Sequence, residues 1–259
     1  MKKAKWPKSV TLIRHGESAY NALGHKKNGD ESYQKFKEEY EKDYQSKITI
    51  DLAQEMKNKY SPRTSDYGTP LTINGQNQAF VTGQNLSNII HAPDVIIVSP
   101  YLRTIETLNQ IIKGWPDIKD VPQLHDERIR EQEHGLSLLY NDWRIFNVLH
   151  PEQKKLYDLL GPYWYQFPQG ESVAEVRERC RDEVSMLIRE FANRHVLLIT
   201  HHLTILSFRA NLERLSPEKF IELDEKFKPK NCGITQYFYN SNAGENGRLE
   251  LNFYNRTLY

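Results

Sequence analysis

Five residues have side chains suited to one reaction and occupy places where a fold can gather them. Arg14 and His15 close the apolar, β-branched run Ser9–Ile13. Arg103 follows the run Val95–Val98, within one turn of the helix predicted after it. Glu131 lies just past a short strand predicted over Pro122–Ile129, and His201 ends the run Val196–Ile199. Taken singly, a histidine after a strand is more often a structural hydrogen-bonder than a catalyst, and an arginine more often a surface charge. Their shared location is what ordinary roles leave unexplained, because ligands of an open α/β sheet bind beyond the carboxyl ends of its strands. Two guanidiniums match phosphate oxygens with forked donors and never deprotonate. A neutral imidazole, with an unperturbed pKa of about 6.5, is a competent nucleophile near neutral pH and can attack phosphorus. Arg14, Arg103 and His201 would stabilise the transferring oxygens. Glu131 would protonate the leaving alkoxide and then take a proton from the attacking water. No metal is required, because the positive charge is built into the chain.

The elements that must position these groups alternate between strand and helix. Strands are predicted over Ser9–Ile13, Val95–Val98, Pro122–Ile129, Val196–Ile199, Ile234–Tyr239 and Leu249–Phe253, the last two joined by the loop Asn240–Gly247. Helices are predicted over Ile73–Ile90, Leu102–Ile112, Ser172–Ala192 and Leu203–Leu212. Val173, Val176, Cys180, Val184, Leu187, Ile188 and Phe191 share one face of the third, and Ser172 with Glu175 forms a capping-box pattern at its start. This alternation predicts an α/β fold, a three-layer sandwich with a mostly parallel central sheet flanked by helices, as one domain over 1–259. Two segments interrupt the rhythm. In 25–69, Tyr33, Phe36, Tyr40 and Tyr44, then Leu52, Ala53, Met56 and Tyr60, recur at helical spacing, which predicts an inserted helical hairpin. In 136–168 the density of Trp143, Phe146, Tyr157, Tyr163, Trp164, Tyr165 and Phe167 suits a cap over a pocket and a second patch of core equally.

Lys and Arg total 35 against 34 Asp and Glu, a net charge of +1, so the chain lacks the basic excess of a nucleic-acid binder. Its two cysteines, Cys180 and Cys232, exclude a disulfide framework and read as reduced thiols. No apolar run approaches the ~20 residues that span a bilayer, and the basic start MKKAKWPKSV has no apolar stretch behind it. A cytoplasmic protein with no nucleic-acid or membrane partner is expected. An apolar helical stripe fits a dimer seam as well as an intrachain seat, so a homodimer stays open. Other chemistries fail on their own motifs. Gly24 and Gly29 have phosphate-loop spacing, but Asp30 and Glu31 stand where Lys and Ser or Thr are needed. His195, His201 and His202 cluster in sequence without a carboxylate or thiolate at ligand spacing, so neither a metal nor another cofactor is expected.

The ordered blocks of the chain resemble the histidine phosphatase superfamily, the group of phosphoglycerate mutase and its relatives. They are Leu12-Ile13-Arg14-His15-Gly16-Glu17-Ser18 with Asn21; Pro70-Leu71-Thr72 with Gly75; Ser99-Pro100-Tyr101-Leu102-Arg103-Thr104; Arg130-Glu131-Gln132 with Gly135; Phe167-Pro168-Gln169-Gly170-Glu171-Ser172; and Ile199-Thr200-His201. The resemblance implies that His15 is the phosphorylated nucleophile and Glu131 the acid and base. It implies further that Arg14, Arg103 and His201 hold the phosphoryl group of a small phosphorylated substrate, with Asn21 a supporting donor. Two positions depart from the pattern. His202 replaces the glycine usual after the second histidine, though its N–H stays available for substrate, and Gln166 stands where similar phosphatases carry an arginine. Tyr20 before Asn21, in place of a tryptophan, and the Arg-Glu-Gln form of the acid loop resemble the general phosphatases more than the mutases. Hydrolysis of a phosphomonoester is therefore expected, with mutase-type transfer and a catalytically silent phospho-ligand binding module as alternatives.

Overall fold

The computed structural model describes residues 5–62 and 64–259; the first four residues of the basic start lie outside them. Two compact units are present. One comprises the chain up to Ser18, Asp66–Glu131 and Glu175–Tyr259, and the other Ala19–Ser65 and Gln132–Ala174.

The first unit is built on a six-stranded sheet of β1 (Ser9–Arg14), β2 (Val95–Val98), β3 (Gln123–His125), β4 (His195–Thr200), β5 (Ile234–Asn240) and β6 (Arg248–Arg256), in the order β3-β2-β4-β1-β5-β6. β3, β2, β4 and β1 run parallel, and β5 and β6 add antiparallel pairs at the far side. The parallel strands read as nearly continuous apolar runs because both of their faces are covered. On one face Val10, Leu12, Val95, Ile97, Val196 and Leu198 pack with Val176, Cys180 and Leu187 of α8 (Val173–Glu190) and with Ile205 and Phe208 of α9 (His202–Leu212). On the other, Ile13, Ile96, Val98, Leu197 and Ile199 pack with Ala79 and Leu86 of α4 (Ile73–Leu86) and with Leu108 and Ile111 of α5 (Leu102–Gly114). The unit is thus an α/β sandwich of three layers with a mostly parallel sheet. The register Arg14↔Thr200 sets the ends of β1 and β4 side by side, so His15 and His201 leave the sheet at the same level.

The strand predicted over Pro122–Ile129 is shorter than expected. After three residues Asp126 turns the chain by accepting from the Arg128 N–H, and Glu127–Ile129 form one 3-10 turn. The helix α10 (Pro217–Lys226), started by Ser216, has only Phe220 and Leu223 buried, too few to show as a stripe. Among the described residues no helix is long and apolar enough to cross a membrane.

The second unit holds α1 (Ala19–Asn28), α2 (Glu31–Lys42), α3 (Lys47–Tyr60), α6 (Trp143–Leu149) and α7 (Pro151–Leu160). Its core is the predicted aromatic stripe: Tyr33, Phe36 and Tyr40 of α2 meet Ala53, Met56 and Tyr60 of α3 and Ile145 and Phe146 of α6. Asp30 and Ser46 cap α2 and α3 through the N–H groups of Ser32 and Thr49. The helical stretch starts at Ala19 rather than residue 25. α1 has no apolar face to reveal it; its buried residue is Lys27, whose ammonium is 2.9 Å from Asp142 and donates to the Asn141 carbonyl.

Candidate active site

Every charged residue singled out at a strand end, together with His202, lies in the first unit; Asn21 lies in α1 of the second. His15 follows the last residue of β1 and is 3 % exposed. Its backbone N–H donates to the Thr200 carbonyl at 2.9 Å, and its own carbonyl accepts from Asn231 Nδ2 at 3.1 Å. Its Nδ1 is 2.7 Å from the Gly16 carbonyl. A carbonyl only accepts, so Nδ1 carries the hydrogen and the lone pair of the neutral ring sits on Nε2. The loop leaving His15 is pinned by backbone contact. A Cβ on Gly16 would stand 2.4 Å from the Gly75 carbonyl oxygen, and one on Gly75 would stand 2.0 Å from that of Glu17. The Gly16 N–H donates to Thr107 Oγ1, which itself donates to the Arg103 carbonyl, so nucleophile loop and second arginine share one threonine.

The ring of His201 is 5.2 Å from that of His15, edge to face, and 5.1 Å from Tyr101. Its Nε2 is 2.8 Å from Ser99 Oγ, while its buried Nδ1 has no hydrogen-bond partner. Burial drives both imidazoles well below the usual histidine value, and the positive charges of Arg103 and Arg14 drive them further. Both rings therefore stay neutral into the acidic range.

Arg103, in the first turn of α5, is buried and tied to Asp66. Its Nη1 donates to the Asp66 carbonyl at 2.7 Å and to Oδ1 at 2.8 Å, and its guanidinium lies 4.8 Å from the centre of the Tyr101 ring. Arg14 Nη1 donates to the Pro229 carbonyl at 2.7 Å, and its buried Nε has no partner. Burial lowers the Arg14 pKa, with the negative charge of Glu131 opposing. Buried donors without partners are rare because they cost stability. Arg14 Nε is such a donor, and His201 Nδ1 is another unpaired polar atom, in the same group of residues. An oxyanion is what an unpaired guanidinium N–H would bind.

Glu131 closes the group. Its Oε2 accepts from the His202 N–H at 3.1 Å and its Oε1 from the Leu203 N–H at 3.2 Å, so the carboxylate caps α9. This places the departure from the glycine pattern. The His202 backbone N–H is taken by Glu131, and its side chain is turned onto α10, Nε2 lying 2.7 Å from Asp224 Oδ1. The histidine cluster disperses: His195 Nδ1 pairs with Ser9 Oγ, His201 with Ser99, His202 with Asp224. Gln166 Nε2 donates to the Gly170 carbonyl in its own loop. The sequence does not mark Asp66 or Ser99 as orienting residues: Ser99 lies within Ser99-Pro100-Tyr101-Leu102-Arg103-Thr104, and Asp66 carries no signal beyond lying shortly before Pro70-Leu71-Thr72.

Beneath the loop leading to Glu131 lies a second ionic group. Arg128 Nε is 2.9 Å from Asp126 Oδ1, Arg128 Nη2 is 2.5 Å from Asp126 Oδ2, and the same Nη2 is 3.1 Å from Glu183 Oε2 on α8. Glu183 is fully buried. Burial beside Asp126 raises its pKa to about 8.

The fold is thus an α/β sheet carrying Arg-His at the end of its first strand, with a second histidine and a buried arginine in the same unit. Residues 53–251 match the family model of the histidine phosphatase superfamily (branch 1), and the chain belongs to that superfamily. A phosphoglycerate mutase-like protein of Arabidopsis thaliana is 27% identical over 218 residues, covering 76% of this chain and 63% of its own length. A second such Arabidopsis protein is 29% identical over 231 residues, covering 83% of this chain and 60% of its own length. The chain thus spans about three fifths of these plant relatives. An acid phosphatase of Mycobacterium tuberculosis is 24% identical over 202 residues, covering 74% and 69%. Among solved structures, phosphoserine phosphatase from Entamoeba histolytica in complex with 3-phosphoglyceric acid shares the fold with a TM-score of 0.63 at 20% identity, covering 96% of this chain and 97% of that one.

Proposed function

We propose that the chain hydrolyses small phosphomonoesters through a phosphohistidine at His15. The observation that carries this reading is the Nδ1–H bond to the Gly16 carbonyl, which leaves the Nε2 lone pair on a buried, neutral ring that feels the positive charge of two arginines. In the first step that lone pair forms a bond to phosphorus. The bond from phosphorus to the ester oxygen breaks, and the departing oxygen takes a proton from Glu131. Arg14, Arg103 and His201 hold the three equatorial oxygens, where such donors are worth roughly 10²–10³ in rate each. In the second step water attacks phosphorus and gives its proton to Glu131. The N–P bond breaks, its electron pair returns to Nε2, and phosphate leaves. The Gly16 carbonyl supports the imidazolium-like ring through both steps. The acid phosphatase relative favours hydrolysis over transfer.

Purified protein should release phosphate from p-nitrophenyl phosphate at mildly acidic pH without added metal, and His15→Ala should lower that release roughly a thousandfold or more. Quenching in alkaline detergent after incubation with a ³²P-labelled ester should trap an adduct on His15 that survives base and is lost in acid. Phosphoglycerate interconversion outrunning hydrolysis would make the protein a mutase. Absence of both activities across a broad ester panel would leave it a binding module.

A further inference from the structure

The loop that ends at Glu131 has no strand to pair with after β3, yet each of its four last carbonyls is held by a side chain. Thr200 Oγ1 donates to the Ile129 carbonyl at 2.7 Å, and Thr204 Oγ1 to that of Arg130 at 2.6 Å. The remaining bonds come from one residue. Arg179 of α8 sends Nη1 to the carbonyls of Arg128 and Arg130, each at 2.8 Å, and Nη2 to the carbonyl of Glu131 itself at 3.0 Å. A guanidinium is the side chain able to do this, since its donors diverge in one rigid plane and it stays charged. The carboxylate meanwhile is fixed by the two α9 amides. Glu131 is thereby held at both ends, its backbone by α8 and its carboxylate by α9.

We propose that Arg179 is the positioning residue of the general acid, setting where the Glu131 carboxyl meets the leaving oxygen. This rests on the phosphatase reading above. Proton transfer tolerates little misplacement, and a displaced acid forfeits the 10²–10⁴-fold that such catalysis typically contributes. The loss depends on the ester. An alkyl alcohol needs the proton to leave, whereas p-nitrophenolate leaves without it. Loss of the clamp must therefore act on alkyl phosphates and spare aryl ones.

The test compares kcat/KM, which reports the first phosphoryl transfer, for glycerol 2-phosphate and p-nitrophenyl phosphate in wild type, Arg179→Met, Arg179→Lys, Glu131→Gln and the double variant Arg179→Met/Glu131→Gln. Arg179→Met should lower the alkyl ester roughly a hundredfold and the aryl ester less than about fivefold. Arg179→Lys, which keeps the charge but not the fork, should fall between. The double variant should be no slower on the alkyl ester than Glu131→Gln alone, because both remove one function. Equal loss on both esters, or additive losses in the double variant, overturns the proposal. Should Arg179→Met fail to fold, the lysine variant decides: a selective alkyl loss supports the clamp and an equal loss on both esters refutes it. If Glu131→Gln itself shows no leaving-group selectivity, what fails is the reading of Glu131 as acid, a result separable from any Arg179 outcome.

Discussion

Replacing Glu183 by Gln should make the protein more resistant to unfolding above neutral pH and leave it little changed in mild acid. The reasoning starts from Arg128, whose guanidinium is taken by Asp126 on two atoms. Burial pushes the Asp126 carboxyl up, but its bonds to Arg128 more than offset this and hold it below the usual range. Glu183 therefore faces a cation already neutralised, is cut off from water, and keeps its proton up to about pH 8, against an ordinary value of 4.5. Between those values the native protein binds one proton that the unfolded chain has released, so stability falls as pH rises through the window. Integrated from about pH 5 to about pH 8, the loss comes to about 3 kcal/mol. Glutamine imitates the protonated acid at every pH and abolishes the loss. His15 and His201 act with the opposite sign: their depressed values subtract stability as pH falls below 6.5. The quantity to follow is accordingly the difference between variant and wild type. Denaturant unfolding at a series of pH values should show that difference growing by about 3 kcal/mol in favour of Glu183→Gln, or roughly 6 °C in melting temperature. A difference that stays level across the series would mean that Glu183 is ionised in the native protein, and would refute the account of the buried pair.

Three further expectations are narrower. The acid limb of the kcat/KM profile on p-nitrophenyl phosphate should lie well below pH 6.5, because burial and two arginines keep His15 unprotonated; a limb at 6.5 would mean a solvated nucleophile. Gly75→Ala should lower stability by about 1–3 kcal/mol and reduce turnover, since its Cβ would meet the Glu17 backbone at 2.0 Å; unchanged melting and kinetics would contradict that contact. Phe36→Ala should cost about 3–5 kcal/mol in the second unit, where Phe36 is fully buried between Tyr33 and Tyr40. Hydrogen exchange of α2 and α3 amides reads that loss directly, and protection equal to wild type would argue against a shared core.

The parts of the molecule legible from sequence share a physical reason. β1, β2 and β4 are buried on both faces, so they appear as unbroken apolar runs, and Arg14, His15 and His201 lie at or just beyond the ends of two of them. The stripes of α2 and α3 were equally plain because one face of each meets a core. What stayed hidden is held by contacts between distant residues or by charge rather than by pattern. Lys27 buries α1 through Asp142, which no periodicity can register. Asp66 reaches Arg103 across 37 positions, and Arg179 reaches Glu131 across 48. β3 is shorter than expected because Asp126 turns the chain by accepting from the Arg128 N–H, a habit of aspartate that the apolar residues on either side, Leu124 and Ile129, outweigh in the pattern.

The acceptor that sets the His15 tautomer belongs to the peptide immediately following it. In many enzymes a carboxylate elsewhere in the chain performs this service, and losing it flips the ring. Here the acceptor travels with the ring's own main chain, so the tautomer depends on no second side chain. Descendants of this sequence can therefore exchange neighbours of the ring one residue at a time while the Gly16 carbonyl keeps the hydrogen on Nδ1.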